Sequence, residues 1–189
     1  MPTSDIELMQ RVASYDSKAL EVLYNRYSSL LYTLVKKIVS DQELAEEVLS
    51  DVFVIIWRKV KKFDFKSGNV YTWLVTLSRN KAIDSLKRKR GDTGIETYTE
   101  DYENNFIIPS LSPMIDVLDI QTALSIKDSI ESALNNLTDA QQYVLYLAYY
   151  EGLTQKEIAS KLNIPLPTVK SKIKVTLKNL RENLLKGES

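Results

Sequence analysis

Apolar side chains return every three or four residues through each patterned stretch of this chain, and that spacing constrains the fold more than any other feature. Leu20, Leu23, Tyr24, Tyr27, Leu30, Leu31 and Leu34 follow it within residues 5–39. A helix turning about 100° per residue brings such positions to one side, so one or two packed helices are predicted there. Asp41 stands where an N-cap belongs. Leu44, Val48, Val52 and Ile55 then recur at helical steps, with Ala45, Leu49, Phe53 and Ile56 as a second row beside them. Five Gly and five Pro in 189 residues leave little material for the tight turns of a β-protein. The fold class is therefore all-α.

The stretch from Lys61 to Asn69 is polar and holds Gly68, which predicts a loop. A new helix is expected from near Val70 to about Arg90, with a basic end made by Arg79, Lys81, Lys87, Arg88, Lys89 and Arg90 around a lone Asp84. Periodicity dissolves from Gly91 to about Met114 and resumes near Asp116. Two small helical domains are predicted, residues 1–90 and 116–189, joined by a flexible acidic linker over 91–115.

The formal net charge is zero, yet its distribution is uneven. Residues 1–90 carry 16 Lys/Arg against 11 Asp/Glu, residues 91–136 carry 1 against 9, and residues 137–189 carry 8 against 5. Each basic block can hold a phosphate backbone, while the acidic middle is repelled by DNA. With no Cys and no His, the chain has no thiol nucleophile, no imidazole base, no Cys/His zinc site and no disulfide framework. The start of the chain is polar and acidic, and no apolar run approaches the roughly 18 residues of a membrane span, so a cytoplasmic protein is expected.

The most informative segment follows Leu137. Thr138 is a candidate N-cap for a helix bearing Val144, Leu145, Leu147 and Ala148, which Glu151 and Gly152 should end. Thr154 with Glu157 three residues later forms a capping box that opens a short helix with Ile158, Ala159 and Leu162 inward. After a break at Asn163-Ile164-Pro165, a third helix is predicted from Pro167 or Thr168, with Val169, Ile173, Leu177, Leu180 and Leu184 as its apolar row. One residue further on, Lys170, Lys174, Lys178 and Arg181 keep nearly the same period, which makes a basic stripe about a hundred degrees round from the apolar one. A short helix, a tight break and a second helix with Thr168, Lys170, Ser171 and Lys172 in its first turns form a helix-turn-helix pattern. The same charges also suit a solvated face of an amphipathic hairpin.

The run Gly152-Leu153-Thr154-Gln155-Lys156-Glu157-Ile158-Ala159, then Pro165, then Thr168-Val169-Lys170-Ser171-Lys172, resembles the upstream-promoter-reading region 4 of bacterial sigma factors. In the first domain, Ala45-Glu46-Glu47-Val48, Asp51-Val52-Phe53, Trp57, Phe63-Asp64, Tyr71-Thr72-Trp73-Leu74 and Arg79-Asn80-Lys81-Ala82-Ile83-Asp84 resemble region 2 of the same family, in the same order. The short acidic connector is similar to that of the extracytoplasmic-function (ECF) group.

This resemblance implies an alternative sigma factor that brings RNA polymerase to particular promoters and catalyses nothing itself. It implies that Glu46, Glu47, Ser50, Asp51 and Val54 dock on core RNA polymerase. It further implies that the loop residues Phe65, Lys66, Ser67, Gly68 and Asn69 and the helix residues Arg79, Asn80, Asp84, Lys87 and Arg88 engage the downstream promoter element as single-stranded DNA. A flipped base costs a few kcal/mol to unstack, which polar loop contacts can offset. Thr154, Thr168, Lys170, Ser171, Lys172, Lys174 and Lys178 are the residues it assigns to the upstream element. An anti-sigma factor, commonly a membrane protein, is an implied partner; no metal, cofactor or small-molecule substrate is, and the free protein is expected to be a monomer.

Two departures from the family pattern, Pro167 in place of a frequent Gly and Val175 in place of a frequent basic residue, leave the hexamer sequence open. So does Lys where Arg is common, because Lys lacks the bidentate fork that reads guanine. Two rival readings stand beside this one. The first is a conventional helix-turn-helix regulator that binds duplex DNA without polymerase. The second is a small helical hydrolase using Glu46, Glu47 and Asp51, which lack any base partner in the sequence.

Overall fold

The computed structural model describes residues 3–66, 68–89, 91 and 127–186, and every regular element among them is helical. The chain divides into two compact units between residues 97 and 98. That division falls inside the stretch expected to link the domains, of which only Gly91 is among the described residues; the expected restart near Asp116 lies outside them.

The first unit contains α1 (Asp5–Ala13), α2 (Ser17–Val39), α3 (Gln42–Lys59) with a 3-10 turn at Val60–Lys62, and α4 (Val70–Lys89). At 1.5 Å per residue α2 is about 34 Å long. It is the axis of the unit: Ala19, Leu23, Tyr27, Leu31 and Val35 recur every fourth residue, all fully buried, and α1, α3 and α4 pack around it. Asp5 accepts hydrogen bonds from the Arg26 guanidinium and the Tyr27 hydroxyl, which pins α1 to α2.

The turn between α1 and α2 is absent from the apolar pattern, since neither Gly nor Pro marks it. Chemistry closes it instead. Tyr15 N donates to Val12 O at 2.9 Å and Asp16 N to Arg11 O at 3.0 Å, the paired bonds of a Schellman end, with Tyr15 in the left-handed conformation at φ +63°. That conformation costs an L side chain roughly 1–2 kcal/mol, which is why glycine usually holds the position. Asp16 then caps α2, accepting from Lys18 N and Ala19 N at 2.9 and 3.2 Å, while Arg11 donates two hydrogen bonds to its other oxygen.

Asp41 caps α3 as expected, accepting from Leu44 N at 3.1 Å. The buried arc of α3 is Ala45, Val48, Leu49, Val52, Phe53 and Ile56. Leu44 and Ile55 of the predicted rows lie about a quarter turn off its centre and are half-buried. Helix α4 is different in kind. Beside Val70, Leu74, Leu77, Ala82 and Ile83 it buries Ser78, Arg79, Asn80 and Lys87, so apolar periodicity could not delimit its inner face.

In the second unit the described helices are α5 (Lys127–Asn135), α6 (Asp139–Tyr149), α7 (Gln155–Leu162) and α8 (Leu166–Lys186). Val144, Leu147, Ala148, Ile158, Val169 and Ile173 form one core, and Ala133, Leu137 and Leu180 a second. Both capping boxes form, at Thr138 with Gln141 and at Thr154 with Glu157. Gly152, at φ +64°, turns the chain out of α6 and lets Leu153 N reach Leu147 O. Asn163, at φ +51°, closes α7 in another left-handed turn. Helix α8 starts at Leu166, slightly before the predicted Pro167 or Thr168, because Pro165 O already accepts from Thr168 N and Val169 N. No helix among the described residues is long and apolar enough to cross a membrane.

Candidate functional site

Three surfaces gather the candidate residues. On α3, Glu46, Glu47, Ser50 and Val54 are exposed and Asp51 is half-exposed, and helical spacing puts all five within about 140° of arc. Ser50 Oγ donates to Glu46 O at 2.9 Å, and Gln42 Nε2 to Glu46 Oε1 at 3.0 Å. Lys81 of α4 lies 2.9 Å from Asp51, so that carboxylate is positioned across the helix pair. Val54, 46% exposed, is an apolar point in the acidic strip. At the amino end of α3, Asp41 meets Lys89 Nζ at 2.5 Å, and that ammonium together with the cap holds its carboxyl below the ordinary range.

The loop between the 3-10 turn and α4 is built around Phe63, which is buried and meets Phe65 and Trp73 edge-on at 5.2 and 5.7 Å. Asp64 organises the turn: its carboxylate accepts from Lys66 N at 2.9 Å and its carbonyl from Gly68 N at 2.7 Å. A Cβ on Gly68 would stand 2.4 Å from Asp64 O and 2.8 Å from the Phe63 ring, so glycine is required here by close approach. Asn69 is the cap of α4, its Oδ1 accepting from Thr72 N at 2.8 Å. Lys66 is exposed, Phe65, Gly68 and Asn69 are half-buried, and Ser67 lies outside the described residues. Trp73 is half-buried against Phe63, and burial raises the Tyr71 hydroxyl above its ordinary value.

The α4 residues assigned to the downstream element differ in exposure. Arg79 is 1% exposed, Asn80 4% and Lys87 7%; Asp84 is half-buried, and of the five only Arg88 is exposed. Arg79 Nη1 donates to Asn80 Oδ1 at 3.0 Å, and a buried guanidinium needs such partners. Counting charge along the sequence weights a buried cation and a solvated one alike.

The third surface is α8. Its buried arc is Val169, Ile173, Thr176 and Leu180, and Thr168, Lys170, Ser171, Lys172, Lys174 and Lys178 are all exposed away from it. Lys178 reaches Glu182 only at 3.7 Å, both groups open to water, an ion pair too weak to sequester the ammonium. Thr154 is the exception among the upstream candidates: it is half-buried, and its hydroxyl accepts from Glu157 N at 3.3 Å as the cap of α7. Its place is structural first.

Two aromatic features escaped the sequence reading. Tyr143 and Tyr146 on α6 are exposed and stack with ring planes 6° apart, a pair at i, i+3. Tyr15 is 65% exposed and meets Trp57 edge-on at 5.7 Å. The first was legible as spacing; the second depends on contact between elements.

Two family models match the chain in order, Sigma-70 region 2 over residues 23–91 and Sigma-70, region 4 over residues 133–182. The ECF RNA polymerase sigma factor SigK of Mycobacterium tuberculosis (strain ATCC 25618 / H37Rv) is 30% identical over 184 residues, which span 96% of this chain and 95% of that protein. SigK of Mycobacterium sp. (strain KMS) is 29% identical, over 96% and 92%. Among solved structures, that of Rhodobacter sphaeroides SigE in complex with the anti-sigma ChrR aligns at a TM-score of 0.49 and 27% identity, covering 95% of this chain and 97% of the other. Paired region 2 and region 4 modules are the build of a sigma factor, and a regulator that works on duplex DNA alone has no use for the first. The chain belongs to the ECF sigma factors, alternative factors that direct RNA polymerase to specific promoters and initiate transcription there.

Proposed function

We propose a division of this work among the three surfaces. The acidic strip Glu46, Glu47, Ser50, Asp51 and Val54 docks on core RNA polymerase. The loop from Phe65 to Asn69, with Asp84 and Arg88, takes the unpaired strand of the downstream element. Arg79, Asn80 and Lys87 act from inside by holding α4 in place. Helix α8 enters the major groove of the upstream element amino end first, with Thr168, Lys170, Ser171 and Lys172 nearest the base edges and Lys174 and Lys178 on phosphates.

The observation that carries this reading is the segregation on α8, where the cations and hydroxyls lie exposed away from the buried row. Residues 91–115 serve as the tether between domains 1–90 and 116–189, so that two weak attachments reinforce each other through effective concentration. The protein acts as a cytoplasmic monomer, performs no catalysis of its own and needs no cofactor. An anti-sigma factor, commonly membrane-anchored, covers these surfaces until a signal releases them.

The test is transcription from a promoter library by core polymerase, with transcript starts mapped with and without the protein. Starts that share two sequence elements at fixed spacing are the expected result, and an unchanged start map would overturn the reading. Within that assay Asp51→Lys should abolish recovery with core polymerase while leaving the melting temperature within a few degrees.

A further inference from the structure

The residue least explained by the fold is Tyr15. It occupies the left-handed position of a Schellman turn, where a Cβ is unfavourable, and its ring repays none of that strain by burial, being 65% exposed. The turn does not need the ring: its backbone bonds and the Arg11–Asp16 clamp close it. Yet the ring is not loose. It stands edge-on to Trp57 at 5.7 Å with 70° between planes, and Lys61 Nζ sits 5.1 Å over its centre. A strained backbone that holds an exposed and oriented aromatic is a sign of a contact made with something else.

The neighbours say with what. At about 100° per residue, Glu46, Ser50, Val54 and Trp57 fall on one strip of α3, so Trp57 continues the acidic docking face toward its carboxyl end. Tyr15 therefore lies at the far end of that strip, about 16 Å along the helix from Glu46 at 1.5 Å per residue. The strip runs from carboxylates through exposed Val54 to an aromatic pair, with Arg58 and Lys61 exposed at its edge. Aromatic anchors beside a charged rim are the composition of a protein-binding hot spot.

We propose that Tyr15, braced by Trp57 and Lys61, is an anchor of the core RNA polymerase interface and extends the α3 docking strip onto the α1–α2 turn. This rests on the reading of α3 given above. The polymerase surface that fits it has basic groups opposite Glu46, Glu47 and Asp51 and an apolar hollow about 16 Å away along the strip, as the helical rise sets the distance.

Glycine separates binding from folding here. Tyr15→Gly suits the left-handed turn, so the full-length variant should melt at or above the wild-type temperature while its affinity for core polymerase, titrated by fluorescence anisotropy, falls about tenfold. Tyr15→Asn, which also tolerates the turn, should behave alike, and Tyr15→Phe should keep near-wild-type affinity. Asp51→Lys is measured in parallel.

Wild-type affinity in Tyr15→Gly with loss in Asp51→Lys would overturn the anchor and leave the α3 reading standing. Wild-type affinity in both would remove both. A fall in melting temperature in both Tyr15→Gly and Tyr15→Asn would show that the ring serves the fold, and self-association abolished by Tyr15→Gly would assign the surface to a second copy of the chain; either result overturns the proposal.

Discussion

Asp16 shows how much one side chain can settle at a turn that the apolar pattern passes over. One oxygen caps α2 and the other takes the Arg11 guanidinium, and the Arg11 hydrogen bonds, with the cap, hold its carboxyl below the ordinary value of 3.8. A folded-state value below the unfolded one means that the stabilisation is complete above about 3.8 and is lost as pH falls through the depressed folded value. Asp16→Asn keeps a capping oxygen but cannot titrate. Thermal melts followed down through pH 3 should therefore show a shallower acid limb for the variant, attributable to this site alone. The sequence holds the components of this turn in Arg11, Tyr15 and Asp16, but it gives no sign of them because a tyrosine is not a helix breaker; only the backbone geometry reveals that the position takes a residue on glycine's terms.

Among the elements, the inner face of α8 was legible and that of α4 was not, although the span expected from near Val70 to about Arg90 is the one observed, Val70–Lys89. Helix α8 has one buried arc and an opposed solvated one, so period and chemistry agree: Val169 and Ile173 go in, Lys170 and Lys174 go out. The caps at Thr138, Thr154 and Asp41 were legible too, since capping is decided within four residues. Helix α4 buries Ser78, Arg79, Asn80 and Lys87 beside its apolar residues, and which cations are withdrawn from water is fixed by neighbours remote in sequence. The two helices should therefore answer differently to salt. On α8 each exposed lysine that meets a phosphate releases counterions, so Lys174→Ala should weaken upstream-element binding by holoenzyme and reduce the slope of log affinity against log salt by about one. Core association should be unaffected. Anisotropy titrations over a salt series check both, and an unchanged slope would make the lysine stripe a solvated face only.

For the whole molecule the governing quantity is the arrangement of a net charge of zero. Residues 91–115 hold five acids, Asp92, Glu96, Glu100, Asp101 and Glu103, and no Lys or Arg, whereas residues 1–90 carry 16 Lys/Arg against 11 Asp/Glu and residues 116–189 balance at nine against nine, with their basic excess confined to 137–189. A chain built only from those flanks would adhere to any duplex, because phosphate neutralisation supplies non-specific affinity irrespective of sequence. An anionic stretch between them cancels that attraction at long range, while direct contacts survive once polymerase has brought α8 to its element. Under the proposed division of work, selectivity follows from order of assembly, because the free factor has little electrostatic reason to bind DNA. Replacing the five acids by their amides takes the formal charge of the chain from zero to +5 without touching any proposed contact residue. The free variant should then bind random duplex about tenfold more tightly at low salt, a difference that fades as the screening length shrinks to about 3 Å near 1 M. Equal affinities at low salt would mean that the acids have no part in keeping the free factor off DNA.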